Sequence, residues 1–125
     1  MILLFNHTLT EAQKADAKIS LGVEDFVALP HELQNIWSNV PPEIESLKSL
    51  LAPIRAFVQK EAKEGDHILI QGDFGATCQM VKYAKSLGLI PVYATTKREV
   101  VEVKEDDKVI KKSLFKHERF RRYED

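Results

Sequence analysis

Asp66-His67-Ile68-Leu69-Ile70-Gln71-Gly72-Asp73-Phe74-Gly75-Ala76 is the stretch from which the rest of the chain can be read. Ile68, Leu69 and Ile70 form an unbroken run of strand-favouring residues, the pattern of a strand covered on both faces. Gly72 and Gly75 follow, two positions free to take positive φ or to let a ligand approach the backbone. A helical pattern comes next, with Cys78, Val81, Ala84 and Tyr83 or Leu87 at spacings of three and four. A strand entering a helix through a Gly-bearing turn leaves free N–H groups above the sheet, a generic site for a phosphate. The same glycines equally serve a plain tight turn. The stretch is neither the dinucleotide fingerprint nor a Walker loop, because no Lys followed by Ser or Thr is present.

Upstream, Ile2–Phe5 reads as a strand ending at Asn6-His7-Thr8. Thr10 is a good N-cap for a helix with an apolar stripe of Ala12, Ala15, Ala17 and Ile19, stopped by Gly22. Phe26–Leu29 is a second strand, ended by Pro30, and a short helix is expected from His31 to Val40. After Pro41-Pro42, the apolar residues Ile44, Leu47, Leu50, Leu51, Ile54, Phe57 and Val58 mark a long helix to about Lys63, with a kink at Pro53. Downstream, Leu89–Ala94 is a fourth strand running into Thr95-Thr96-Lys97-Arg98. Val100–Val103 and Val109–Phe115 read as a hairpin around a charged turn, followed by a basic, aromatic tail.

Strands and helices thus alternate along residues 1–125. The expected fold is a single α/β Rossmann-like domain: a mainly parallel sheet with helices on both faces and a C-terminal β-hairpin. Ligands of such sheets bind beyond the carboxyl ends of the strands. Asn6-His7-Thr8, Pro30-His31, Gln71–Ala76 and Thr95–Arg98 all lie there, and all are polar or Gly-bearing.

The net charge of −1 gives no broad basic footprint for long nucleic acid. The apolar start is too short for a signal peptide or membrane span, so a cytoplasmic protein is expected. Cys78 is the one cysteine, and a buried structural role is expected for it. The four histidines are scattered, so no metal site or cofactor is expected.

Each strand-end segment has a chemical reading and a plainer one. His7 can move a proton at neutral pH, or cap the next helix. Asn6, Gln71 and Asp73 can hold ribose or adenine, although Asp73 is also a natural N-cap. Thr95, Thr96 and Arg98 offer two hydroxyls and a guanidinium suited to a phosphodiester, or else form a solvated turn.

Taken together, Phe5-Asn6-His7, Leu9-Thr10, Leu29-Pro30, Trp37 with Pro41-Pro42, Gly65-Asp66, Leu69–Ala76, Ile90–Thr96 with Arg98, and Phe120-Arg121 with Tyr123 resemble a family of small CRISPR-associated proteins that accompany type III systems. The likeness covers nearly the whole chain. It implies a fold related to the CRISPR-associated Rossmann-fold sensor domains, and binding of cyclic oligoadenylate, cyclic tetra-adenylate above all. It further implies metal-independent opening of the ring to end antiviral signalling, and a homodimer. The site roles rest on the chemistry of these groups, by which His7 is the proton-transfer candidate. Arg98, Thr95 and the backbone from Gly72 through Asp73, Phe74 and Gly75 to Ala76 would hold phosphate, with Asn6, Gln71, Asp73 and Thr96 as further ligand contacts. Two other classes compete: a sponge that sequesters the messenger without cutting it, and an adaptor, which the absence of a helix-turn-helix or basic face disfavours.

Overall fold

Ile68, Leu69 and Ile70 are at most 1% exposed, as a strand covered on both faces must be. In the computed structural model, which describes residues 1–125, they belong to β3 (His67–Ile70). The other elements are β1 (Ile2–Leu4), α1 (Glu11–Leu21), β2 (Val27–Ala28), α2 (His31–Ser38), α3 (Ala52–Glu61), α4 (Phe74–Ser86), β4 (Ile90–Glu105) and β5 (Lys108–Arg122). One sheet runs in the order β2-β1-β3-β4-β5. Its first four strands are parallel, and β5 returns antiparallel to β4.

The period-2 alternation of the strands builds two cores. Ile2, Leu4, Ile68 and Ile70 face one side, where Trp37 of α2, Ile54 and Val58 of α3, and Ala76, Met80 and Ala84 of α4 cover them. Leu69, Val92 and Phe120 face the other side, under Ala17 of α1 and Leu9 just before it. Each fully buried large side chain contributes about 1.5–3 kcal/mol, so the helices are held mainly by these two layers. The chain crosses from one face to the other after β2, which sets β1 between β2 and β3.

Several expectations are corrected. The long helix from Ile44 is confined to α3, because Pro53 stands in its first turn, where a missing N–H costs nothing. Residues 41–51 form turns instead, and Leu51 is still fully buried. The stripe of α1 is Gln13 and Ala17 rather than Ala12, Ala15 and Ile19, and Ile19 is 85% exposed. Reciprocal bonds between Thr10 and Gln13 form a capping box that sets this rotation. Cys78 is exposed, since α4 buries positions 76, 80 and 84. The expected separate strand and hairpin are one long pair: β4 continues through Thr95–Arg98 to Glu105. Asp106 and Asp107, at φ 45° and 64°, make the two-residue turn. The tail is not a free terminus either, for Phe120 is buried and belongs to β5.

Candidate functional site: the carboxyl edge of the sheet

Parallel pairing brings the ends of β1 to β4 to one edge, and side chains stitch them there. Beyond β3, the Gln71 N–H donates to the Leu4 carbonyl at 2.9 Å. The Trp37 indole N–H donates to the Gln71 carbonyl at 3.0 Å, and the Gln71 side-chain oxygen accepts from the Ala94 N–H at 2.8 Å. Gln71 therefore ties β1, α2 and β4 together. Gln34 donates to the Phe5 carbonyl and to the Ser38 hydroxyl, each at 2.9 Å, and Ser38 donates onward to Asn6 Oδ1 at 3.2 Å. Helix α2 is thus bonded to the ends of β1 and β3 through Gln34, Trp37 and Ser38.

Between these elements opens a cleft of about 650 Å³, within the usual size of small-ligand sites. Its floor is apolar, from Leu3, Phe5, Phe26 and Leu29. Its rim is polar: Asn6, His7 and Thr8 from the β1–α1 turn, Lys14 from α1, and His31, Gln34 and Ser38 from α2. His7 meets the edge of the Phe5 ring at 5.4 Å between centroids. Lys14 stands 3.6 Å from Glu11, an exposed pairing that leaves its ammonium available. Two imidazoles, an ammonium and several amides and hydroxyls over an apolar floor can bind a nucleotide, and can give and take protons at a phosphodiester.

Of the residues singled out from the sequence, Asn6 and His7 line this cleft. Gln71 is not among the residues that line it, and its amide oxygen is engaged by Ala94. Gly72 is not at positive φ, nor is Gly75. A Cβ at Gly72 would fall 2.9 Å from the Trp37 indole, so the glycine admits a side chain of this chain. Asp73 is the N-cap of α4, its carboxylate accepting from the Ala76 N–H at 3.0 Å. That carboxylate disfavours an anion on this helix end. Ala76 is fully buried, while Phe74, two residues earlier in the same first turn of α4, is 96% exposed.

Thr95, Thr96 and Arg98 stand apart, on β4 where its pairing shifts register between Ala94 and Thr96. The Thr95 hydroxyl donates to the Arg119 carbonyl at 2.9 Å and accepts from the Arg119 N–H at 3.2 Å. The Arg98 guanidinium donates twice to the Ser113 hydroxyl, at 3.2 and 3.0 Å. Thr96 pairs with His117, whose ring bonds Asp16 of α1 at 2.7 Å. The Ser20 hydroxyl, and after it His117, hold the Asp16 carboxyl below its ordinary value.

Lys14, Gln34 and Ser38 were not singled out, and His31 was placed at the edge without a role. A legible signal existed: His31, Gln34 and Ser38 repeat at spacings of three and four, one polar face of the short helix predicted there. No three His, Cys, Asp or Glu side chains gather where they could hold a metal ion. No helix is long and apolar enough to cross a membrane.

A family model described as "Uncharacterized protein MJ1673 family" matches residues 1–121. A protein of Methanocaldococcus jannaschii carrying the name "Uncharacterized protein MJ1673" is 50% identical over 123 residues, which span 98% of this chain and 95% of that protein. No solved structure matches the chain.

Proposed function

The chain belongs to the MJ1673 family, and we propose that it is a ring nuclease that binds cyclic oligoadenylate, cyclic tetra-adenylate first, and opens it without a metal ion. The observation that carries this reading is the cleft at the carboxyl edge, where His7 and His31 rim one apolar-floored hollow beside Lys14. A compact ligand with several phosphates needs a local set of donors and no basic surface, which suits a chain of net charge −1.

The chemistry follows from those groups. A ribose 2′-oxygen attacks the adjacent phosphorus as His7 takes its proton. The bond to the 5′-oxygen breaks, and His31 protonates that leaving oxygen. The products are a 2′,3′-cyclic phosphate and a 5′-hydroxyl on one linear chain. Lys14 faces the charge that develops on the phosphoryl oxygens, and Asn6 with Ser38 holds a ribose or base edge. Phosphates of the ring that lie outside the cleft are left for Arg98 at the root of the hairpin. Two such clefts in a homodimer suit a two-fold symmetric ring, and a cytoplasmic setting suits a nucleotide messenger.

Single-turnover reactions with excess protein, cyclic tetra-adenylate and EDTA test this. His7→Ala and His31→Ala should each slow ring opening about a hundredfold or more while retaining binding. Two variants that cleave at the wild-type rate would place the chemistry elsewhere. A second reading, sequestration without cleavage, is favoured by the internal bonds that occupy Gln71, Thr95 and Arg98. A ligand-induced rise in Tm with no linear product would select it.

A further inference from the structure

Helix α4 turns Ala76, Met80 and Ala84 into the core, and beside that stripe Gln79, Lys82, Tyr83 and Ser86 repeat at spacings of three and four. These four form one wall of a second recess, of about 700 Å³, within the usual size of small-ligand sites. Arg55 of α3 and the segment carrying Ser46 and Lys48 complete it. It shares no lining residue with the edge cleft, and none of its lining comes from the ribbon that β4 and β5 form beyond Thr96.

The chain as a whole is nearly neutral, with 18 Lys and Arg against 19 Asp and Glu. The recess departs from that balance: Lys48, Arg55 and Lys82 line it, and no carboxylate does. None of the three forms an ion pair within the chain. Like charges gathered in one hollow repel each other, and an anion seated among them relieves that repulsion.

Arg55 is held in place before any ligand arrives. Its guanidinium donates to the Lys48 carbonyl at 2.6 Å, which fixes a half-buried side chain and leaves its other N–H groups to donate. The Lys48 N–H donates to the Ser46 hydroxyl at 3.3 Å, and the Leu51 N–H to the Leu47 carbonyl at 3.0 Å, so the segment before α3 is ordered by its own bonds. The Tyr83 hydroxyl donates to Gln59 Oε1 at 3.3 Å and ties α4 to α3. Little conformational freedom is left at Arg55 for binding to remove.

We infer that this recess binds a linear oligophosphate, a phosphoanhydride chain either inorganic or carried at the 5′ end of a nucleotide. Arg55 takes phosphate oxygens through paired N–H groups, while Lys48 and Lys82 add point charges from the loop and from α4. Ser46 and Gln79 offer polar donors beside them. A single phosphate is too small to use cations from three separate segments around a space of this size. A base finds no pocket, since Tyr83 is the one residue of the lining with an apolar body, whereas the edge cleft has a floor of Leu3, Phe5, Phe26 and Leu29. A nucleic-acid backbone needs cations that continue past the recess, and a net charge of −1 gives no such continuation. The site goes beyond the ring-nuclease reading and does not depend on it.

Isothermal titration calorimetry of the full chain with inorganic triphosphate, without divalent cations, should give a Kd below about 100 µM at low salt and about tenfold weaker binding near about 0.3 M salt. Inorganic phosphate should bind about tenfold more weakly than triphosphate. Lys48→Gln and Lys82→Gln should each weaken triphosphate binding about threefold or more with unchanged Tm, because both side chains are exposed. Arg55→Lys keeps the charge but loses the fork, and should weaken it about tenfold. Binding should survive Lys14→Gln, which removes the ammonium of the edge cleft. Binding lost in Lys14→Gln, or indifferent to the Lys48, Lys82 and Arg55 substitutions, overturns the inference. Triphosphate bound more tightly than ATP, GTP and CTP assigns the inorganic chain, and the three nucleotides bound alike and at least as tightly assign the nucleotide-borne tail. A preference of more than about tenfold for one base overturns the inference, because it requires a base pocket. Triphosphate binding with no cleavage of cyclic oligoadenylate would leave this site standing and the catalytic reading refuted, and cleavage without triphosphate binding would do the reverse.

Discussion

Strand β4 belongs to two different worlds along its length. At Pro91 and Val92 it is buried between two helical layers, and by Val100 it is 57% exposed with a single neighbour. The body rests on side chains that have left water: Trp37, Leu4, Ile54, Ile68 and Met80 are all at most 1% exposed. The ribbon rests on attachments at its root, where Thr95 clasps the Arg119 backbone, Arg98 bonds Ser113, and His117 meets Asp16. Both are β-structure with similar strand-forming residues. The difference shows that strand propensity writes the local conformation, while burial decides which part stands alone.

That contrast can be broken first in the body. Trp37→Ala removes the indole that closes α2 onto the sheet and leaves the Gln71 carbonyl without its donor. A loss of about 3–5 kcal/mol is expected in urea or thermal unfolding. Gly72→Ala drives a Cβ to 2.9 Å from the same indole and should cost about 1–3 kcal/mol, with quenched or shifted Trp37 fluorescence. A wild-type melting curve for Gly72→Ala would mean that the α2–β3 junction is looser than this geometry.

Acid should sharpen the comparison at the ribbon's root. Asp16 titrates below its ordinary value in the fold, so its contribution is present above the ordinary carboxylate range and is lost as pH falls through the folded value. His67, at the opposite edge, is lowered chiefly by burial. The unfolded chain then takes that proton more readily, and stability declines as pH drops below the ordinary value of 6.5. Two successive losses are expected in a pH series of Tm, and Asp16→Asn should flatten the more acidic one. The smallest effect belongs to the exposed ribbon. Val100→Ser should change the stability of the monomer by no more than about 0.5 kcal/mol, as judged by chemical denaturation.

Much of the body was legible in order. Ile68–Ile70 announced a strand covered on both faces, Thr10 and Gly22 bounded α1, and the alternation of elements implied a mainly parallel sheet with polar segments at one edge. What was illegible depended on phase and partners. The apolar run from Ile44 has helical spacing, yet spacing does not say that Leu51 is buried from a turn while Leu47 is only half-buried. Cys78 and Ile19 fit an apolar stripe as well as Met80 and Ala17 do, and only the capping geometry and the position of the sheet choose between them. Gly72 reads as room for a ligand at the backbone, whereas the group that comes close to it is the Trp37 side chain. His7 and Asn6 were readable as strand-end residues. Lys14 joins them from α1, and Gln34 and Ser38 from α2, only because the fold brings both helices to this edge.

By itself, then, the amino-acid order determined the kind of layers, the direction of the sheet and the edge at which polar residues collect. These follow from local periodicity and from the handed, parallel connections it requires. Tertiary structure alone decided which of those polar residues share a hollow, which are tied up in holding strands together, and that the last two strands leave the body as a bare arm. Such outcomes turn on contacts between residues distant along the chain, whose cost and gain no local pattern records.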